Sequence, residues 1–405
     1  MRRLMVLAVG TALCTTGLAA AAPAAKPAAR PAATAADPTI PQPGWAPPKN
    51  AWGQPDLSGY WANATLTPLT RSRNITDKPR LTAAEAHQLE GVFTKALEDA
   101  DKPTDPNEST QAVQNQFSKS ELLKLRPDFA AAGGDVGGYN VAWIDPGTHV
   151  MEVNGEYRTS ILTTPDGQIP PRKDGKRGGF FGGYGRDSYD SYETRSIGER
   201  CIMGFGRNAG PPMLANGYYN NDYYIIQTGD TVAIQVELIH DTRIVRLNGT
   251  HRTDGVRPWM GDSIGHYEGN TLVIETTNIP ERESLMGSWK NLKVTERLTR
   301  VSPTRINYQF TVEDPDTWAQ PWGGEYDFYP MKGIIYEYAC HEGNYALPSI
   351  LAGARRAEKE AAEAAAAAKA SAPAPAAAAP TSGKVRPGGG RAPAPGPAPH
   401  LIIAS

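Results

Sequence analysis

The stretch TVAIQVELIHDTRIVRL, residues 231–247, decides how the chain is read. Side chains alternate between the two faces of a strand, and Val232, Ile234, Val236 and Leu238 form one apolar face here. The opposite face holds Gln235, Glu237, Asp241 and Arg243, so the stretch reads as two strands, 231–239 and 241–247. Similar runs recur at 222–227, 271–277, 292–300 and 305–313, with further candidates at 140–145, 149–154, 157–164 and 333–340. Asn154-Gly155, Asp166-Gly167 and Asn248-Gly249 supply hairpin-type turns between them. DLSGYW (56–61) adds a candidate first strand, and its Gly-x-Trp also opens lipocalin barrels. The fold class is therefore mainly β: an antiparallel barrel or sandwich, with a lipocalin-like barrel as one form.

One or two helices are expected in the N-terminal part. LTAAEAHQLEGVFTKALEDA (81–100) opens with Thr82 and Glu85 as a capping box, and Leu81, His87, Leu89, Val92, Phe93 and Leu97 mark its buried side. A shorter helix is expected around SKSELLKL, residues 118–125. At the ends, composition changes. Residues 1–22 carry two arginines, an apolar run and small residues suited to cleavage, the pattern of a signal peptide. Residues 23–48 are Ala- and Pro-rich and too poor in large apolar groups to build a core. Residues 49–356 form a single β-rich domain, and 357–405 form an Ala/Pro/Gly-rich tail whose first part could extend a terminal helix.

Without the leader, two cysteines remain, Cys201 and Cys340, and an even count in an oxidising compartment favours a disulfide. A periplasmic or secreted location follows, with no transmembrane segment. Forty-one Lys and Arg balance 43 Asp and Glu without a basic cluster, so nucleic-acid partners are not expected. No GxSxG elbow, P-loop or dinucleotide fingerprint is present, and no HxH or HExxH spacing supports a metal. Neither cofactor nor metal is expected.

What remains is acid–base chemistry. The polar strand faces carry Glu, Gln, His and Asn beside aromatics, groups that recognise hydroxyls and move protons. They either face solvent, as on a one-sided sheet, or line a cavity in which Glu237, Glu275, Glu337, Arg243, His240 and His341 converge. His240 or His341 would be the base or acid, and Asp241, Glu275 or Glu337 its partner. Arg243 or Arg158 would hold an anionic or developing oxyanion group. A glycine-rich loop adds Trp259, Asp262, Ser263, His266 and Tyr267.

Four motifs carry a resemblance: DPGTHVMEVNGEYRTSILTTPDGQIPP (145–171), HDTRIVRL (240–247), WMGDSIGHYEGNTLVIETTN (259–278) and YEYACHEGNY (336–345). On these the chain resembles a widespread family of exported bacterial proteins over residues 45 to 356. The resemblance implies export and a shared fold, and no reaction. It singles out Arg158, His240, Asp241, Arg243, Asp262, Glu275, Asn278, His341, Glu342 and Asn344. Where the family more usually has Arg-Trp before Glu-Gly, this chain has His266-Tyr267, so no role rests on that pair. The functional expectation is an exported, cofactor-free enzyme of lyase, isomerase or glycoside-hydrolase type, acting on a hydroxylated glycan-like or aromatic small molecule. The alternatives are a ligand-binding barrel without catalysis and a structural envelope protein.

Overall fold

The computed structural model describes residues 44–73, 75–100, 147–176, 189–204, 209–214, 220–331 and 333–371. The expected signal peptide, the helix at 118–125, the strand at 140–145 and the tail beyond residue 371 lie outside the described residues.

Nine strands close into a barrel: β1 (Gly59–Ala62), β5 (Asp222–Gln227), β6 (Thr231–Val236), β7 (Thr242–Leu247), β8 (Asp262–Glu268), β9 (Thr271–Thr277), β10 (Lys293–Ser302), β11 (Arg305–Glu313) and β12 (Trp322–Pro330). Each neighbours the next, and β12 returns to β1. The barrel form, and not the sandwich, is what the alternation built. Its pairing departs from a purely antiparallel meander at one step, because β7 and β8 run parallel. Fourteen residues, 248–261, connect them, which leaves room for the chain to return to the starting end.

Against the outside packs a smaller sheet of β2 (Arg80–Leu81), β4 (Glu156–Arg158) and β3 (Glu152–Val153), with helix α1 (Ala83–Ala100) beside it. The capping box of α1 forms as its sequence dictates: the Thr82 amide donates to Glu85 Oε2 at 2.8 Å and the Glu85 amide to Thr82 Oγ1 at 3.3 Å. Its buried side is narrower than expected, with Ala86 and Phe93 inside while His87 and Val92 are exposed. A second helix, α2 (Ala346–Ser371), buries no residue fully; its alanines favour helix without packing, and Arg356–Glu360 spans one turn at 2.8 Å.

β8 and β12 are not among the strands expected from the sequence, and both contain glycines at close approaches. A Cβ at Gly265 would meet the Val245 side chain at 2.8 Å, and one at Gly323 would sit 2.1 Å from the Phe310 carbonyl oxygen. Only glycine leaves room for the Val245 side chain at the first position and for the Phe310 backbone at the second.

The barrel interior is filled. Val232, Ile234, Ile274, Leu298, Tyr308 and Phe328 are all fully buried in one cluster. Arg243 belongs to this inner face. It pairs in register with Ile234, whereas strict alternation through residues 231–247 had set it on the opposite, polar side. The five-residue connection 237–241 shifts the parity, with Ile239 and His240 both in left-handed backbone conformation (φ 54° and 56°). Inside, Arg243 meets Glu296 through both terminal nitrogens, one at 2.9 Å, with side-chain exposures of 1% and 0%. Burial works against the Arg243 charge, and Glu296 outweighs it. Tyr308 donates to Glu296 at 2.7 Å, the Met213 amide donates to Tyr308 Oη at 2.9 Å, and Tyr326 donates to the Met213 carbonyl at 2.7 Å. A segment around Met213 thus enters the barrel and is held by the buried charges.

Removing one partner leaves a buried charge without compensation. Glu296→Ala is expected to cost about 3–5 kcal/mol in denaturant unfolding, and the apolar pair Arg243→Met with Glu296→Leu to restore most of it. A loss below about 1 kcal/mol for Glu296→Ala would contradict the role assigned to the pair.

Candidate functional site at a loop junction

Apart from Arg243, buried in the barrel interior, and Arg158 on β4, the sequence-selected residues separate into two groups and do not converge in one cavity. The first surrounds the β6–β7 connection. A strap without regular secondary structure, residues 333–345, lies over it. The Tyr336 amide donates to Glu237 Oε1 at 3.2 Å, and the Tyr338 amide to His240 Nε2 at 3.1 Å. Asp241 accepts from the Gly204 amide at 2.8 Å. Cys201 and Cys340 form a disulfide with Cα atoms 5.7 Å apart, and the Asn344 amide group donates to the Glu199 carbonyl at 3.3 Å. The bridge joins positions 139 residues apart, so it stabilises by about 5 kcal/mol in the chain-entropy account.

This corrects the reading of 333–340 as a strand. Its backbone amides bond to side chains of the β6–β7 connection and not to a neighbouring strand, and Tyr336 is 70% exposed. Glu337, His341 and Glu342 are exposed on the strap and share no strand face. His240 and Asp241 hold backbone amides beneath it. Burial raises Glu237, and it pushes Asp241 up to about 7 against the opposing pull of the Gly204 amide. Arg158 lies elsewhere, on β4, 3.8 Å from Glu325.

The second group forms where the β7–β8 loop packs against the β9–β10 loop. Asp262 begins β8, Glu275 lies on β9, and Asn278 follows β9 in left-handed conformation (φ 55°). His251 joins them. Its Nδ1 lies 3.1 Å from Asp262 Oδ2 and its Nε2 lies 3.1 Å from Glu275 Oε1. Asp262 also accepts from Arg246 at 2.7 Å and from the Arg252 amide at 2.8 Å, and Asn278 donates to the Arg252 carbonyl at 3.2 Å. Burial pushes the Asp262 carboxyl up, but the Arg252 amide, His251 and Arg246 together hold it below its ordinary value. Glu275 is more open, 40% exposed at its side chain, with Lys293 at 3.7 Å.

A neutral imidazole carries one N–H and one lone pair. It can donate to only one of the two carboxylates, so the tautomer decides which of Asp262 and Glu275 receives the ring N–H. With the ring N–H on Nδ1, donated to buried Asp262, Nε2 is left facing Glu275. A base oriented by a buried carboxylate is an arrangement fit for proton transfer.

On the same two loops, Arg257, Pro258, Trp259, Pro280, Glu281 and Arg282 line an open groove of about 390 Å³. Trp259 is 41% exposed there. The sequence thus pointed to Trp259, Asp262, Glu275 and Asn278, and the fold brings them to one junction. It missed His251, which lies 11 residues from Asp262 and 24 from Glu275 and meets them only through the loop crossing. The Asn248-Gly249 pair just before it, expected to close a hairpin, instead opens the long loop between the parallel strands β7 and β8 that carries His251.

Asp241 sets a pH dependence of stability. The folded chain keeps its proton up to about 7, whereas the unfolded chain releases it near 3.8. Stability from this group is therefore full below the unfolded value and declines as pH rises through that window. Asp241→Asn keeps an acceptor for Gly204, so unfolding measured across this range should lose part of its downward slope. An unchanged slope would show that Asp241 ionises freely. In comparisons with known proteins, no family model, no curated protein and no solved structure matches this chain.

Proposed function

We propose that this chain is an exported enzyme that moves protons with its own side chains, acting on a hydroxylated glycan-like or aromatic small molecule at the loop junction. The observation that carries this reading is His251, with each ring nitrogen 3.1 Å from a different carboxylate. In it, His251 Nε2 takes or returns the substrate proton, buried Asp262 holds the ring, and half-open Glu275 exchanges the proton with solvent. Proton abstraction of the lyase or isomerase type fits better than glycoside hydrolysis. The latter needs two carboxylates flanking the reacting bond, and Asp262 is buried behind His251. The disulfide and the N-terminal leader pattern support export to the periplasm or beyond.

A second reading, ligand binding without turnover, is favoured by the exposed Trp259 in its groove. One experiment separates them. The purified mature chain is incubated with a panel of sugar acids, neutral glycans and hydroxylated aromatics, and products are followed by absorbance and mass. Turnover that falls about 10²- to 10⁴-fold in His251→Gln, and less in Glu275→Gln, is the expected result. Full turnover in His251→Gln would refute the mechanism. Ligands recovered unchanged, with affinity lost in Trp259→Ala, would establish the binding reading in its place.

A further inference from the structure

The strap over the β6–β7 connection is held by a bond whose direction fixes a protonation state. A backbone amide can only donate, so the Tyr338 N–H, 3.1 Å from His240 Nε2, requires a lone pair on that nitrogen. His240 is therefore neutral when the strap is seated, with its own proton on Nδ1. A charged imidazole donates from both nitrogens and has no acceptor to offer. Two N–H groups would then face each other where one bond stood. A strained turn presents the ring: Ile239 and His240 both lie in the left-handed region, which a β-branched side chain rarely occupies.

The segment held by this bond is bounded on both sides. Gly333 (φ 116°) precedes it, and at Cys340 the disulfide to Cys201 pins the chain. Beyond the pin, Asn344 is tied to the Glu199 carbonyl at 3.3 Å. Between these limits the Tyr336 amide donates to Glu237 Oε1 at 3.2 Å. Both amides thus rest on ionisable acceptors, but only one of these fails in acid. Glu237 keeps an acceptor oxygen when protonated, and its burial favours that form, so acid does not release Tyr336 directly. Asp241, pushed up to about 7 by burial, is likewise seated as the acid. The other ionisable groups on the elements packed there are Asp222 on β5, Tyr336, Glu337, Tyr338 and His341 on the strap, and Arg200 and Glu199 beside the disulfide, the last paired with Arg195 at 2.7 Å. Among the described residues none of them forms an ion pair with the His240 ring. A strap that loosens at low pH therefore points to His240.

We propose that residues 333–339 form an acid-released strap, latched by neutral His240 at the Tyr338 amide and freed between Gly333 and the disulfide when the ring is protonated. The closed strap binds one proton fewer than the open one, so closure is favoured at high pH and lost as pH falls. Opening uncovers Glu237, now 6% exposed. The device does not involve His251 and stands whether or not that residue moves protons.

Backbone amide exchange of the full mature chain, expressed as protection relative to the intrinsic rate at each pH, tests this. Imidazoles ordinarily change charge between about pH 5 and pH 8, so the two ends of that range are compared. Tyr338 protection should fall about tenfold toward the acid end, the scale of one lost hydrogen bond, and Tyr336 should follow. Ile234, paired within the barrel on β6, should keep its protection. His240→Gln offers an amide oxygen that does not titrate and should hold Tyr338 at both ends, whereas His240→Ala should leave it unprotected at both. Equal Tyr338 protection at the two ends in the unaltered chain would overturn the proposal, and that measurement needs no variant. An acid-induced fall that persists in His240→Gln would also overturn it, as would one shared by Ile234, which reports the barrel and not the strap.

Discussion

A guanidinium and a carboxylate buried side by side inside a closed barrel have to compensate each other, and the interior is arranged around how Arg243 and Glu296 do so. Their side chains are 1% and 0% exposed, so neither can recover its lost hydration from water. Tyr308 completes the Glu296 oxygens, and the Met213 backbone is captured between Tyr308 and Tyr326. The pair therefore does more than stabilise opposite strands. It draws a segment of chain into the barrel and occupies space that a hollow barrel would offer to a ligand. The site proposed for chemistry lies outside the barrel interior, where the loops leave the strand ends.

That placement fits the distribution of the polar groups. The outer faces of β9, β10 and β11 carry charges that neutralise one another across strands, as where Lys293 lies 2.9 Å from Glu313 and 3.7 Å from Glu275. Of these outward groups, Glu275 differs because a histidine from the long β7–β8 loop descends onto it. The parallel step between β7 and β8 demands that long loop, so one topological feature supplies both His251 and Trp259. At the β6–β7 connection a different arrangement of histidine and carboxylates serves the strap, where side chains take the place of strand partners and a disulfide secures the end.

Much of the barrel was legible because period-two alternation survives wherever a strand buries one face, as in β6, β9, β10 and β11. It failed in specific places for physical reasons. The left-handed pair Ile239 and His240 changed which parity faces inward, so Arg243 could not be placed from sequence. Gly265 sits against the Val245 side chain and Gly323 against the Phe310 backbone, so β8 and β12 carry glycine where strand patterns expect side chains. The strap imitated a strand because its tyrosines alternate, yet its amides found side-chain acceptors. At the site, the types of residue in the Trp259–Asn278 stretch were informative, whereas His251 depends on a crossing of two loops that no local pattern encodes.

The account turns on His251 being held between Asp262 and Glu275. Long-range proton–nitrogen spectra of the histidine rings in the full chain test this directly. The His251 resonances should report a proton fixed on Nδ1, and that preference should be lost when Asp262→Asn replaces the carboxylate with an amide. A ring that exchanges freely between tautomers in the unaltered protein would contradict the arrangement and the chemistry built on it.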